Sequence, residues 1–317
     1  MKKNPKILVI IGPTASGKTK LAVELARAHK GEIISADSRQ VYRGMDIGSG
    51  KDLAEYGEGK NAVKYYLIDV ADPKEQYNLF QYQKAAQKAI LDVLKRGKLP
   101  IIVGGSGLYL QAVVDGYILG SRTTEKTEST EGTDKKDLKE IQALVFKQDK
   151  AFFERLNNSE KNNKRRLIRY LEILKTSGEI HETKVRIKKP PYDFTVVGLE
   201  VGMETLRKRI KQRLIDRIDS PVKPGNDTLI SEVEKLHEDG LSWERLESFG
   251  LEYKFVTQYL QKKLSKEEMI EKLSIATGQF AKRQMTWFRR WQKQGREIMW
   301  FGTKDLNKID RFLFKKS

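Results

Sequence analysis

A parallel α/β sheet flanked by helices and interrupted by an all-helical insertion is the fold this sequence predicts, and three observations carry it. The first hundred residues alternate short apolar runs with helical periodicity, the pattern of a parallel sheet covered by helices on both faces. A glycine-rich loop joins the first apolar run to the first helical stretch. Near Gly116 the texture changes, helical patterns alone follow, and a strand-like segment then returns.

The first run is Ile7-Leu8-Val9-Ile10-Ile11, and Gly12-Pro13-Thr14-Ala15-Ser16-Gly17-Lys18-Thr19 follows at once. This is a complete G-x-x-x-x-G-K-T phosphate-binding loop in its strand–loop–helix context, which makes the core P-loop NTPase-like. The glycines let the backbone curl so that successive N–H groups face phosphate oxygens, and the helix N-terminus adds its dipole. Lys18 supplies a point charge, and the Thr19 hydroxyl is placed to hold Mg²⁺. The loop implies a di- or triphosphate ligand.

Strands are expected at 32–36 and 63–68. Residues 78–96 read as a helix: Leu79, Tyr82, Ala86, Ala89, Ile90, Val93 and Leu94 recur at helical spacing, Asn78 is an N-cap, and Gly97 ends it. A buried strand at 99–103 runs into Gly104-Gly105-Ser106-Gly107 and a further helix. Residues 120–137, rich in Thr, Ser, Glu, Gly and Lys, read as a loop or linker, and 138–177 as helices. The core resumes with a strand from Phe194. The expected division is therefore a catalytic core of 1–118 and 194–317 around a helical insertion of 119–193. Turn signals over 219–227 read as an inserted surface loop. The last hundred residues read as mostly helical, with a capping box at Ser265-Lys266-Glu267-Glu268 heading a helix to about Gln294.

Among 317 residues there are 61 Lys+Arg against 43 Asp+Glu, a formal net charge of +18, which favours a polyanionic partner such as nucleic acid. There are no cysteines, so disulfides, thiolate metal sites and thiol nucleophiles are excluded. His29, His181 and His237 have no metal-ligand spacing. No stretch approaches the roughly 20 apolar residues of a membrane helix, and the apolar run after Met1-Lys2-Lys3 is too short for a signal peptide. A cytoplasmic monomer is expected.

Asp37 closes the second strand, on the side of the sheet that carries the phosphate loop. It reads as a general base, a metal ligand or a turn cap. The Gly104–Gly107 turn reads either as a close backbone approach to a ligand or as an ordinary tight turn. Asp69 reads equally as a metal-linked acid or a loop residue. Arg165 and Arg169 share a helix face, with Arg166 adjacent and Leu167, Leu171 and Leu174 on the buried side. In Lys282-Arg283-Gln284-Met285-Thr286-Trp287-Phe288-Arg289-Arg290-Trp291, the aromatics read mainly as core and the cations as free to meet RNA.

Together these segments resemble the tRNA dimethylallyltransferase (tRNA isopentenyltransferase) family. The phosphate loop matches throughout. The stretch Ser35-Ala36-Asp37-Ser38-Arg39-Gln40-Val41-Tyr42-Arg43-Gly44-Met45-Asp46-Ile47-Gly48 is similar to the family's second signature. Val103-Gly104-Gly105-Ser106-Gly107-Leu108-Tyr109 resembles a third, residues 165–172 a fourth, and 281–289 a fifth. The resemblance implies transfer of a dimethylallyl group from dimethylallyl diphosphate to N6 of the adenine 3′ of the tRNA anticodon. It further implies Gly12–Thr19 as the diphosphate site, Lys18 and Thr19 aiding departure with Mg²⁺, Asp37 as base, and Asp37, Ser38, Arg39 and Gln40 reading the adenine. Ser106, Arg165, Arg166, Arg169, Lys282 and Arg283 would contact tRNA. Departures are Ser106 in place of Thr, Lys139 as the nearest counterpart of an Arg, Gly202-Met203 in place of Asp-Arg, Gly278 in place of Arg, and the extra 219–227 loop. A P-loop kinase of small nucleosides or nucleotides, and an RNA-binding protein with a vestigial loop, are the alternatives. Neither accounts for the phosphate loop, Asp37 and the basic clusters together.

Overall fold

The structure, a computed structural model, describes residues 4–119, 136–177, 187–219, 227–303 and 305–314. The chain forms two units, one of residues 1–116 with 188–317 and one of 117–187, where the sequence predicts an insertion of 119–193. Residues 120–135 of the expected 120–137 linker and 220–226 of the expected 219–227 loop lie outside the described residues.

In chain order the larger unit opens with β1 (Lys6–Ile11), α1 (Lys18–Ala28), β2 (Gly31–Ser35), β3 (Tyr65–Tyr66), α2 (Leu79–Lys95), β4 (Leu99–Gly104) and α3 (Gly107–Val114). The smaller unit supplies α4 (Leu138–Gln148), α5 (Lys150–Arg155), α6 (Asn158–Lys161) and α7 (Lys164–Ser177). The larger unit continues with β5 (Asp193–Glu200), α8 (Met203–Asp219), α9 (Leu229–Glu238), α10 (Trp243–Ser248), α11 (Leu251–Leu260), α12 (Lys266–Lys293), β6 (Met299–Gly302) and α13 (Leu306–Phe314).

The six strands form one parallel sheet in the order β3-β2-β4-β1-β5-β6. β1 sits between β4 and β5, with Ile7 to Ile11 all buried, as expected of a strand covered on both faces. One layer packs Ile7, Val9 and Ile11 with Tyr82, Ile90, Leu110 and Phe288; the other packs Leu8 and Ile10 with Leu21, Leu25, Ile101 and Ile309. A third cluster joins α8, α9, α11 and α12 to the loop after β2 through Val41, Met45, Leu214, Val233, Tyr253 and Leu273.

Helix ends follow the sequence signals. Asn78 and Gln81 form a reciprocal capping box, as do Ser265 and Glu268, each worth about 1 kcal/mol. Gly97 takes φ +66°, which releases the chain toward β4. One expectation is corrected, and another, the mostly helical C-terminal part, is borne out with one addition. The strand at 63–68 pairs only at Tyr65–Tyr66, because Leu67 (φ +64°) and Asp69 (φ +58°) turn the chain out of the ladder. The C-terminal hundred residues contain a strand, β6, which closes the sheet against β5.

The smaller unit has its own core. Ile141 and Val145 of α4 pack with Phe152, Leu156, Leu167, Tyr170, Leu171 and Leu174. Asp137 caps α4, and Asn157 caps α6, each in a capping box.

Candidate active site

The phosphate loop leaves the carboxyl end of β1 and enters α1. Gly17 is its N-cap at φ +86°, where a side chain would be strained, and Gly12 leaves no room because a Cβ would lie 2.7 Å from Ser16 Oγ. No side chain caps α1 and its first turn holds no acid, so the dipole and the first N–H groups stay available to an anion. Lys18 Nζ donates to the Pro13 carbonyl at 3.3 Å. Burial pushes the Lys18 ammonium down to about 8, against the pull of the nearby Asp37 carboxylate. Lys18 is thus poised to gain from an anionic ligand.

Asp37 and the Gly104–Gly105 turn are fixed to one another by backbone. Ala36 N–H donates to Val103 O at 2.7 Å, and Ser106 N–H donates to Ala36 O at 3.2 Å. A Cβ on Gly104 would stand 2.1 Å from the Ala36 carbonyl, so glycine is needed here for the close approach of the chain's own backbone. Ser106 Oγ accepts the Ser38 N–H at 3.0 Å. The Asp37 carboxylate accepts the Arg39 N–H at 3.0 Å, a local turn bond that leaves its remaining lone pairs toward the cavity.

One cavity brings these parts together. Its lining includes Thr14, Ala15, Gly17, Lys18 and Thr19 of the loop, together with Asp37, Arg39, Gln40 and Gly104. The side chains of Arg39 and Gln40 already have partners: Arg39 pairs with Glu252 at 2.6 Å, and Gln40 bridges Ser35 Oγ and the Gly50 carbonyl. The opposite wall was missed in the sequence reading. Arg213 and Arg217, one turn apart on α8, both bond Asp52, at 2.5 and 3.3 Å. Burial and the neighbouring Arg217 lower the Arg213 guanidinium, while burial and Asp52 raise the Glu55 carboxyl. Phe280 and Gln284 of α12 complete the lining. The signal for this wall was present: Arg209, Arg213 and Arg217 recur every four residues on one helical face.

The donor set suits a hard cation. The Thr19 hydroxyl and the Asp37 carboxylate line the same cavity, and among the described residues no cluster of three or more acidic or histidine side chains could enclose a metal by itself. Mg²⁺ fits such a place, since it takes one or two protein oxygens and fills its shell from phosphates and water.

The remaining sequence candidates fall elsewhere. Asp69 pairs with Lys51, which also binds Asp46 at 2.7 Å and the Tyr42 carbonyl at 2.7 Å; it is outside the cavity lining, and the loop reading applies. Lys282 and Arg283 are exposed on α12, while Phe288 and Trp291 are buried and Trp287 is partly so, its Nε1 bonding Gln111. On α7 of the smaller unit, Arg165 is exposed, Arg166 faces Glu160 at 3.5 Å and Arg169 pairs with Glu172 at 2.9 Å. Lys139 is exposed on α4. At Gly202 and Gly278 an added Cβ would meet open space, so the structure does not require glycine there.

Comparison with known proteins places the chain in a family. The IPP transferase family model matches residues 40–291. A tRNA dimethylallyltransferase 1 of Syntrophus aciditrophicus is 43% identical over 300 residues, covering 95% of this chain and 94% of the relative. A tRNA dimethylallyltransferase 2 of Treponema denticola is 45% identical over 297 residues, covering 92% and 94%. Among solved structures, the tRNA isopentenylpyrophosphate transferase of Bacillus halodurans superposes with a TM-score of 0.67 at 33% identity, over 98% of this chain and 96% of that one. A eukaryotic dimethylallyltransferase acting on tRNA gives 0.72 at 26% identity, over 96% and 76%. Loop, acid and turn stand at the carboxyl ends of the neighbouring strands β1, β2 and β4, and a family model and relatives match most of the chain: it belongs to the IPP transferase family.

Proposed function

We propose that this protein transfers the dimethylallyl group of dimethylallyl diphosphate to the exocyclic N6 of the adenine 3′-adjacent to the anticodon of tRNA. The observation that carries the reading is the single cavity lined by both the phosphate loop and Asp37. In this reading the diphosphate lies against the loop N–H groups and Lys18. The bond between the allylic carbon and the bridging oxygen breaks, its electron pair leaves on the diphosphate, and N6 forms the new bond to carbon. Cation-like character grows on the allyl group and negative charge on the phosphates, where the uncapped start of α1 and Lys18 stabilise it. Thr19 would hold Mg²⁺, which would supply further charge neutralisation.

Adenine N6 is a weak nucleophile because its lone pair is delocalised into the ring. Asp37 accepts its hydrogen bond and then its proton, a role worth typically about 10²–10⁴-fold. The adenine has to leave its stack, which costs a few kcal/mol, less in a loop than in a duplex. Contacts of Lys282, Arg283, Ser106 and the α7 arginines with RNA phosphates offset that cost. The net charge of +18 is in keeping with such a substrate.

The test is incubation of unmodified tRNA with the protein, dimethylallyl diphosphate and Mg²⁺, followed by mass spectrometry of the nucleosides. Prenylated adenosine and release of diphosphate are expected. ATP-dependent phosphorylation of a nucleotide with no prenylated base would overturn the reading in favour of a kinase.

A further inference from the structure

The reaction proposed above needs the diphosphate cradle and the Asp37 carboxylate at a fixed separation, yet they stand on different loops. The cradle follows β1, Asp37 follows β2, and β4 lies between those strands in the sheet. The turn after β4 is therefore the spacer. On the Asp37 side it is joined through the Ala36, Ser106 and Ser38 bonds described above. On the cradle side the β1–β4 ladder ends at Ile11 and Gly104. Beyond that point, among the described residues, both hydrogen bonds between the two loops are made through one side chain, Gln284 of α12. Its Oε1 accepts the Thr14 N–H at 2.8 Å and its Nε2 donates to the Gly105 carbonyl at 3.0 Å.

Gln284 is 6% exposed, and a Cβ on Gly105 would stand 2.2 Å from Nε2, so the amide and the glycine fit as a pair. A primary amide can accept from one backbone N–H and donate to one backbone carbonyl at once. An apolar residue of the same size would leave both backbone groups without their partner. Neither bond touches the reacting atoms. We infer that Gln284 is a positioning residue, whose amide sets the distance between the departing diphosphate and the base; the inference rests on the reaction proposed above. Its placement one residue after the exposed Lys282 and Arg283 puts this clamp within one helical turn of cations assigned to RNA.

The experiment uses the full chain with Gln284→Leu, which removes both bonds, and Gln284→Glu, which keeps the acceptor. Single-turnover prenyl transfer to tRNA is measured beside the affinities for inorganic pyrophosphate and for tRNA, and the Tm. For Gln284→Leu the transfer rate is expected to fall about 10- to 100-fold, with both affinities changed less than about threefold. The rate of Gln284→Glu relative to wild type should rise as pH is lowered from about 8.5 to 6.5, because protonation of the buried carboxyl restores a donor to Gly105. The same ratio for Gln284→Leu should stay flat. If the leucine variant fails to fold, the pH series of the glutamate variant decides. A wild-type rate in Gln284→Leu, or a pH-independent ratio in Gln284→Glu, would overturn the inference while leaving prenyl transfer intact. Absence of transfer by the wild-type protein would overturn the reaction itself.

Discussion

A carboxylate stands near each end of strand β2, and the two have opposite surroundings. Glu32, at the amino end, is 1% exposed and accepts from both Arg96 terminal nitrogens at 2.7 Å, from Lys98 at 2.7 Å and from Tyr66 at 2.8 Å. Burial alone would raise its carboxyl, but the Arg96, Lys98 and Tyr66 bonds outweigh burial and hold it at about 2. Asp37, just past the carboxyl end, receives one backbone N–H and faces the cavity that contains Lys18 and Thr19. A carboxylate whose lone pairs are filled is ionised and inert. One with lone pairs to spare, beside a phosphate cradle, can take a hydrogen bond and then a proton from a nucleophile.

Four variants test that contrast, in descending order of effect on the reaction. Asp37→Asn keeps the shape and the turn bond but cannot accept a proton. Its turnover should fall by about 10²–10⁴-fold with tRNA affinity and Tm nearly unchanged, measured by single-turnover assay, filter binding and calorimetry. Wild-type turnover would remove Asp37 from the base role.

Lys18→Met should weaken pyrophosphate binding about 10–10²-fold by titration calorimetry. It should also raise the Tm at pH 7 by about 1–4 °C. The sign follows from the lowered ammonium: between about 8 and 10.5 the unfolded chain binds the extra proton, so wild-type stability rises with pH across that window. Below 8 the full penalty is present, and the methionine variant escapes it.

The paired change Arg165→Ala with Arg169→Ala should weaken tRNA binding several-fold and flatten the dependence of log K on log salt by about one unit per arginine. An unchanged salt slope would take α7 out of the RNA interface. Glu32→Gln should lower the Tm by roughly 2–8 °C with kcat preserved, the reverse of the Asp37 result. Because the folded Glu32 carboxyl is depressed to about 2, its contribution is complete above about 4.5 and is lost as pH falls toward 2. The acid-denaturation profile of Glu32→Gln should be flatter in that window.

The sequence made the contrast only half visible. Both acids sit beside the same apolar run, and what separates them is the partners that Tyr66, Arg96 and Lys98 bring from β3 and the loop after α2. The phosphate loop, helix α2 and the start of α12 were legible because each rests on residues close in sequence: glycines at fixed offsets, an Asn78 cap, a Ser265–Glu268 box. β6 was not, since its four residues gain their identity only by pairing with β5. The far wall of the cavity depends on contacts between residues more than 160 positions apart, such as Asp52 with Arg213, and Gln284 with Thr14. A helical arginine period hinted at the first; the second carried no local signal, because a glutamine among basic and aromatic residues reads as one more polar position on a helix face.

The most direct test of the account is a single-turnover experiment with saturating dimethylallyl diphosphate and tRNA, following prenylated adenosine and free diphosphate together in wild type and Asp37→Asn. The account predicts equal amounts of the two products in wild type and a matched loss of both in the variant, with tRNA still bound. Full-rate prenylation by the variant, or diphosphate release uncoupled from base modification in the wild type, would contradict it.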